Sequence, residues 1–195
     1  MPTFLLSLII ALFANASSSN TGLQVDISYT TNPGLPGNHI FYTPGKKLAI
    51  SDFQGAPDPN SPAVAITSSG FAFKAGGKRN SSGQSTLAIE VYCNFNRAKS
   101  WMKEKGKNEY ILGHEQLHFD ISYWAAMLFI KKLRAASFKP GQENDIMTKL
   151  YQDAAIALEK KQNQYDAETQ NGQIEDKQAA WAEKVQQEIA ELSGN

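Results

Sequence analysis

Over residues 17–95 the apolar positions recur every second residue. Leu23, Val25, Ile27 and Tyr29 alternate with Gln24, Asp26 and Ser28, the period that turns one face of a strand to a core. Leu87, Ile89, Val91, Cys93 and Phe95 repeat the pattern over a longer run. Residues 63–74 are its expected hairpin partner, because residues 76–83 (Gly76-Gly77-Lys78-Arg79-Asn80-Ser81-Ser82-Gly83) form a polar, glycine-rich connection. Pro57, Pro59 and Pro62 fall within eight residues, 55–62. Each lacks an N–H and fixes φ, so this stretch is expected to be a loop.

From about Tyr110 the period becomes that of a helix. Leu117, Ile121, Trp124 and Leu128 recur at three and four, as do Ile146, Leu150, Ala154 and Leu158, and then Ile174, Gln178, Trp181, Val185, Ile189 and Leu192. Pro140-Gly141 separates the first two helices and Asn171-Gly172 the last two. Strands first (17–96) and helices second (108–193) predict an α+β domain over 17–195, with an N-terminal antiparallel β-sheet packed against C-terminal helices.

Residues 4–14 are an apolar run that ends in small residues at Ala14 and Ala16. This is the pattern of a signal peptide spanning 1–16, cleaved near Ala16, and it implies a secreted or periplasmic chain. The run is shorter than the about 20 apolar residues of a membrane span. The charge balance, 19 basic against 19 acidic residues, removes the global basic field that nucleic-acid binding uses. A single cysteine, Cys93, excludes an intramolecular disulfide and any Cys-rich metal knuckle. Cys93 shares the alternating face of Val91 and Phe95 and is expected to be a buried thiol. Trp101, Trp124 and Trp181 are expected to anchor the core between sheet and helices. Ser68 and Ser69 lack the G-x-S-x-G surroundings of a serine nucleophile.

Two of only three histidines lie in His114-Glu115-Gln116-Leu117-His118, an H-E-x-x-H sequence inside the first helical pattern. Residues four apart on a helix are separated by about 40° around the axis, so both imidazoles leave one face and can bind one Zn²⁺. Such a metal with an open position lowers the pKa of its water to about 7, and the neighbouring carboxylate takes the proton as the water attacks a peptide carbonyl. His114 and His118 are thus the expected metal ligands and Glu115 the expected general base. Spacing leaves the third ligand open among His39, Asp166, Glu168 and Asn171. Asp120, about 200° around the helix from His118, is expected to point away from the metal face.

The segments Asp52-Phe53-Gln54-Gly55-Ala56-Pro57-Asp58, Ala63-Val64-Ala65-Ile66-Thr67-Ser68-Ser69-Gly70, Tyr110-Ile111-Leu112-Gly113-His114-Glu115-Gln116-Leu117-His118-Phe119-Asp120-Ile121 and Tyr165-Asp166-Ala167-Glu168-Thr169, with Gln178 and Trp181, together resemble the DUF922 family. These are bacterial proteins described as predicted secreted zinc-dependent proteases. The resemblance spans most of the chain after residue 17 and implies a zincin-like fold with H-E-x-x-H on the first long helix. Where that family commonly has Glu-Thr-x-His, this chain has Glu168-Thr169-Gln170-Asn171, so an amide stands where the resemblance would place a third zinc-binding imidazole. Ile50 stands where a tryptophan is usual.

The expected function is a secreted zinc metallopeptidase acting on a peptide or protein substrate, possessing no nucleic-acid partner and no membrane span. A strand near the site, residues 87–95, is the expected partner for an extended substrate. The alternative is a catalytically impaired zincin-like binding or envelope protein whose third ligand was lost at Asn171.

Overall fold

The computed structural model describes residues 23–35, 37–79, 81, 85–139 and 141–194; the expected signal peptide lies outside them. Six strands precede three helices: β1 Gln24–Tyr29, β2 His39–Phe41, β3 Ala65–Ile66, β4 Ser69–Arg79, β5 Ser85–Asn96, β6 Trp101–Met102, α1 Glu109–Ala135, α2 Glu143–Thr169 and α3 Glu175–Ser193. The chain is therefore α+β, as the change of period predicts.

Two details of the sheet differ from expectation. The sheet is mixed, because β1 runs parallel to β5, Gln24 facing Thr86 and Tyr29 facing Val91. β2 and β4 are antiparallel to β5. The alternation of β1 could identify its buried face but not its direction, since both orientations present the same face to the core. The expected strand over 63–74 is divided. Ala65–Ile66 pairs with Trp101–Met102 in a separate two-stranded sheet, and the partner of β5 begins at Ser69 and continues to Arg79, so the expected connection at 76–83 is strand in its first half.

β5 is the central strand. β4 covers one edge, and β1 and β2 share the other, so residues 87–95 have no edge to offer an extended substrate. Leu87, Ile89, Val91, Cys93 and Phe95 are all buried and face α1. Asn108 caps α1 by accepting the Ile111 N–H at 3.0 Å.

The expected apolar stripe on α1 understates its burial. Trp124 and Leu128 are only half-buried, whereas Ala125, Ala126, Phe129 and Ile130 are buried, because the sheet takes one side of the helix and α2 and α3 take the others. Trp181 is buried in the core as expected. Trp101 instead lies half-exposed on the outward face of β6, opposite buried Met102. The joint between sheet and helices is aromatic. Phe129 meets Phe71, Phe73 and Tyr151 with ring centroids 5.3–5.8 Å apart.

Phe129→Ala removes this joint and is expected to cost about 3–5 kcal/mol, read as a lower denaturant midpoint. Ile156→Ser, at a position 65 % exposed on α2, is expected to stay within about 0.5 kcal/mol of the parent.

Candidate metal centre

His114 and His118 occupy successive turns of α1, and both Nε2 atoms turn toward α2. They lie 3.2 Å from each other and 3.5 and 3.0 Å from Asp166 Oδ1. His114, His118 and Asp166 form a group that could hold a metal ion. A tetrahedral ion with bonds of about 2.0–2.1 Å sets its ligand atoms about 3.3–3.4 Å apart, close to all three separations.

A second observation fits the same point. Asp166 Oδ1 is buried, yet no hydrogen bond of acceptable geometry reaches it. A buried carboxylate oxygen without a donor is costly, and a cation among the three atoms would satisfy it. Burial alone would raise the Asp166 carboxyl, but the imidazoles of His114 and His118 outweigh it and hold the group well below the usual carboxylate range. Burial would lower His118, and Asp166, with help from Glu115 and Gln162, reverses this and raises it.

The far side of each ring is fixed by a glutamine. His118 Nδ1 is 2.7 Å from Gln162 Oε1, and Gln162 Nε2 donates to Ser122 Oγ at 3.3 Å, which leaves Oε1 as the acceptor for the ring. His114 Nδ1 is 3.0 Å from Gln178 Oε1, and Gln178 Nε2 donates to the Tyr110 carbonyl at 3.4 Å. With Nδ1 carrying the proton, each Nε2 presents its lone pair to the shared point. Tyr165 stacks on His114 with centroids 4.8 Å apart, and its hydroxyl lies 2.7 Å from His114 Nδ1. Burial, then the charges of Asp166 and Glu115, push this phenol far up, so it remains a protonated hydroxyl.

The turn after α2 closes over His114. Gly172 has φ of 80°, and a Cβ there would lie 2.8 Å from His114 Nδ1. Its N–H donates to Thr169 Oγ1 at 3.0 Å, and its carbonyl accepts the Tyr110 hydroxyl.

Of the four candidates for the third ligand, Asp166 alone joins the histidines. Glu168, about 200° around α2 from it, accepts from Gln164 at 2.7 Å and from the Trp181 indole at 2.8 Å. Asn171 is exposed in the left-handed turn. His39 begins β2, where its Nδ1 lies 3.2 Å from Asn94 Nδ2. Asp120 points away from the metal face as expected. Tyr42 Oη at 3.0 Å, Gln116 Nε2 at 2.7 Å and Gln186 Nε2 at 3.0 Å donate to it.

Glu115 is 5 % exposed. Thr67 Oγ1 donates to its backbone carbonyl at 3.2 Å, but among the described residues its carboxylate has no hydrogen-bond partner. Its charge is felt at both His118 and Tyr165.

Local spacing does not single out Gln162, Tyr165 or Gln178 as partners of the two imidazoles. The available signal was a face of α2, Leu158, Gln162, Tyr165 and Thr169, in which polar groups interrupt a buried helical stripe. No family model matches the chain, and neither a curated protein nor a solved structure is significantly similar to it.

Zinc at a hundredfold excess over its dissociation constant is expected to stabilise the fold by about 2.7 kcal/mol, seen as a rise in melting temperature. Asp166→Ala is expected to abolish the rise, while Asn171→Ala and Glu168→Ala keep it. Gln162→Leu and Gln178→Leu are each expected to weaken zinc by about 10–100-fold. A rise that survived Asp166→Ala and vanished in Asn171→Ala would transfer the third ligand to the turn.

Proposed function

We propose that this chain is a secreted or periplasmic bacterial zinc metallopeptidase of the DUF922 kind, zincin-like in the use of its H-E-x-x-H helix. His114, His118 and Asp166 are its zinc ligands and Glu115 its general base. One observation carries the reading: a three-atom donor set on one point, with an unpartnered carboxylate next to one ligand in sequence. Two imidazoles and one carboxylate form a donor set that zinc accepts with a position left open. A structural zinc site normally closes its fourth position and has no need of a free carboxylate beside it.

Zinc held by His114, His118 and Asp166 would supply Lewis acidity, bringing the pKa of water to about 7 and polarising a substrate carbonyl. Glu115 takes the proton from the attacking water and returns it to the leaving amine. Gln162, Gln178 and Tyr165 keep the imidazoles oriented throughout. The competing reading, an impaired binding or envelope protein, rests on Asn171, and Asp166 supplies the ligand atom that reading supposes lost.

Glu115→Gln is expected to keep about one zinc per chain, measured by elemental mass spectrometry, and to lower hydrolysis of an unfolded protein substrate by about 10²–10⁴-fold. Undiminished hydrolysis in that variant would remove Glu115 from the mechanism. Absence of zinc from the parent after reconstitution would favour the binding-protein reading.

A further inference from the structure

The balanced charge of the chain conceals a strong separation. Residues 97–107 (Arg97-Ala98-Lys99-Ser100-Trp101-Met102-Lys103-Glu104-Lys105-Gly106-Lys107) carry five basic residues and one acid, whereas residues 143–191 carry eleven acids and five lysines. Within the basic strip Arg97 is paired with Asp52 and Lys107 with Glu104. Lys99, Lys103 and Lys105 have no ion pair among the described residues, although the half-buried Lys103 ammonium donates to the Ser61 carbonyl at 2.5 Å.

Beside this strip, exposed Ile66 and half-buried Trp101 form a small apolar surface. Trp101 and Ile66 are opposite each other across β6 and β3. Their strand neighbours Met102 and Ala65 are buried, so both point outward, and Ile66 is 41 % exposed. Lys103 Nζ lies 5.8 Å from the Trp101 ring centroid. The Lys103 ammonium therefore borders the apolar pair, and exposed Lys99 and Lys105 lie two residues before Trp101 and two after Lys103 in the chain.

Its position links it to the metal centre. Lys103 N–H donates to the Val64 carbonyl at 2.8 Å. Gly106 packs so closely on Val64 that a Cβ would meet that carbonyl at 2.7 Å. Thr67, next to Ile66, bonds the backbone of Glu115. Two residues after Gly106, Asn108 opens α1, whose N-terminal dipole adds positive potential at the same end.

Resting on the peptidase reading, we propose that the outward face of β3 and β6 with Lys99, Lys103 and Lys105 docks an acidic stretch of the substrate polypeptide that carries an apolar side chain. Ile66 and Trp101 take the apolar group, and the lysines take carboxylates on either side. Rim charges of this kind steer encounter and set preference between partners, so docking weakens as salt rises.

The test uses the full chain carrying Glu115→Gln, so that bound peptide is not consumed, and measures fluorescence anisotropy of three labelled decapeptides. One has Asp and Glu around a central Leu-Phe, one has Lys in place of the acids, and one has Ser in place of Leu-Phe. The acidic apolar peptide is expected to bind about tenfold or more tightly than either control at low salt. Lys99→Glu with Lys105→Glu, both at exposed positions, and separately Ile66→Ser, are expected to remove that advantage without changing zinc content. Equal binding of the three peptides, or an advantage unchanged by the charge reversals, overturns the proposal. So does binding to vesicles of anionic phospholipid, or self-association through the acidic helices of another copy, with no peptide bound. Hydrolysis of an unfolded protein by the parent chain is followed in parallel. No preference for the acidic apolar peptide, with hydrolysis intact, refutes this surface alone, whereas that preference with no hydrolysis refutes the peptidase reading.

Discussion

Everything in this structure depends on the burial of α1. Seventeen of its 27 residues are buried, with β4 and β5 on one side and α2 and α3 on the others. A helix so enclosed would ordinarily be apolar all round. This one carries His114, Glu115, Gln116, His118, Asp120 and Ser122 in its buried stretch, and each polar group taken from water must be met by a partner or leave a cost of about 1–3 kcal/mol or more. The surrounding elements are arranged to meet them.

Two polar networks result, on different sides of the helix. On one, Asp120 gathers Tyr42, Gln116 and Gln186, and Gln116 Oε1 accepts the Leu48 N–H at 2.7 Å. This network joins the β2 region and α3 to α1. On the other, Gln162, Tyr165 and Gln178 meet the two imidazoles, and Ser122 joins them to β4 through Ser69 Oγ at 2.8 Å. The first network is complete without any added group. The second leaves Asp166 Oδ1 without a donor, and that difference between two otherwise similar polar clusters marks the second as a place for a cation.

The legible parts of the fold were those governed by local period. The strands at 23–29 and 87–95, the three helices, and the breaks at Pro140-Gly141 and Asn171-Gly172 follow from spacing and backbone chemistry at single positions. The parallel direction of β1 and the division of 63–74 between two sheets were not legible, because pairing is decided between segments far apart in sequence. The same divide runs through the site. His114 and His118 are four residues apart on one helix, so their convergence can be read. Asp166 lies 48 residues beyond His118, and its selection over Glu168 depends on which side of α2 packs on α1. That side is set by Ala154, Leu158 and Tyr165, and the position of Asp166 beside Tyr165 places it at the edge of the buried stripe, where a carboxylate can put one oxygen inward while its side chain remains about one-third exposed.

Glu115 is the exception among the buried polar side chains of α1 at the site. Its neighbours in sequence, His114 and Gln116, are both partnered, and its backbone carbonyl has Thr67, but its carboxylate has been left without a donor among the described residues. Had the fold required only a stable contact between α1 and β3, an apolar side chain at position 115 would have served. Sequences depart from local consistency mainly where function requires it, and a carboxylate that no protein donor occupies keeps its acceptor oxygens open to a group from outside. Glu115 thus keeps acceptor oxygens free among the described residues, next in sequence to one of the three side chains whose ligand atoms lie together.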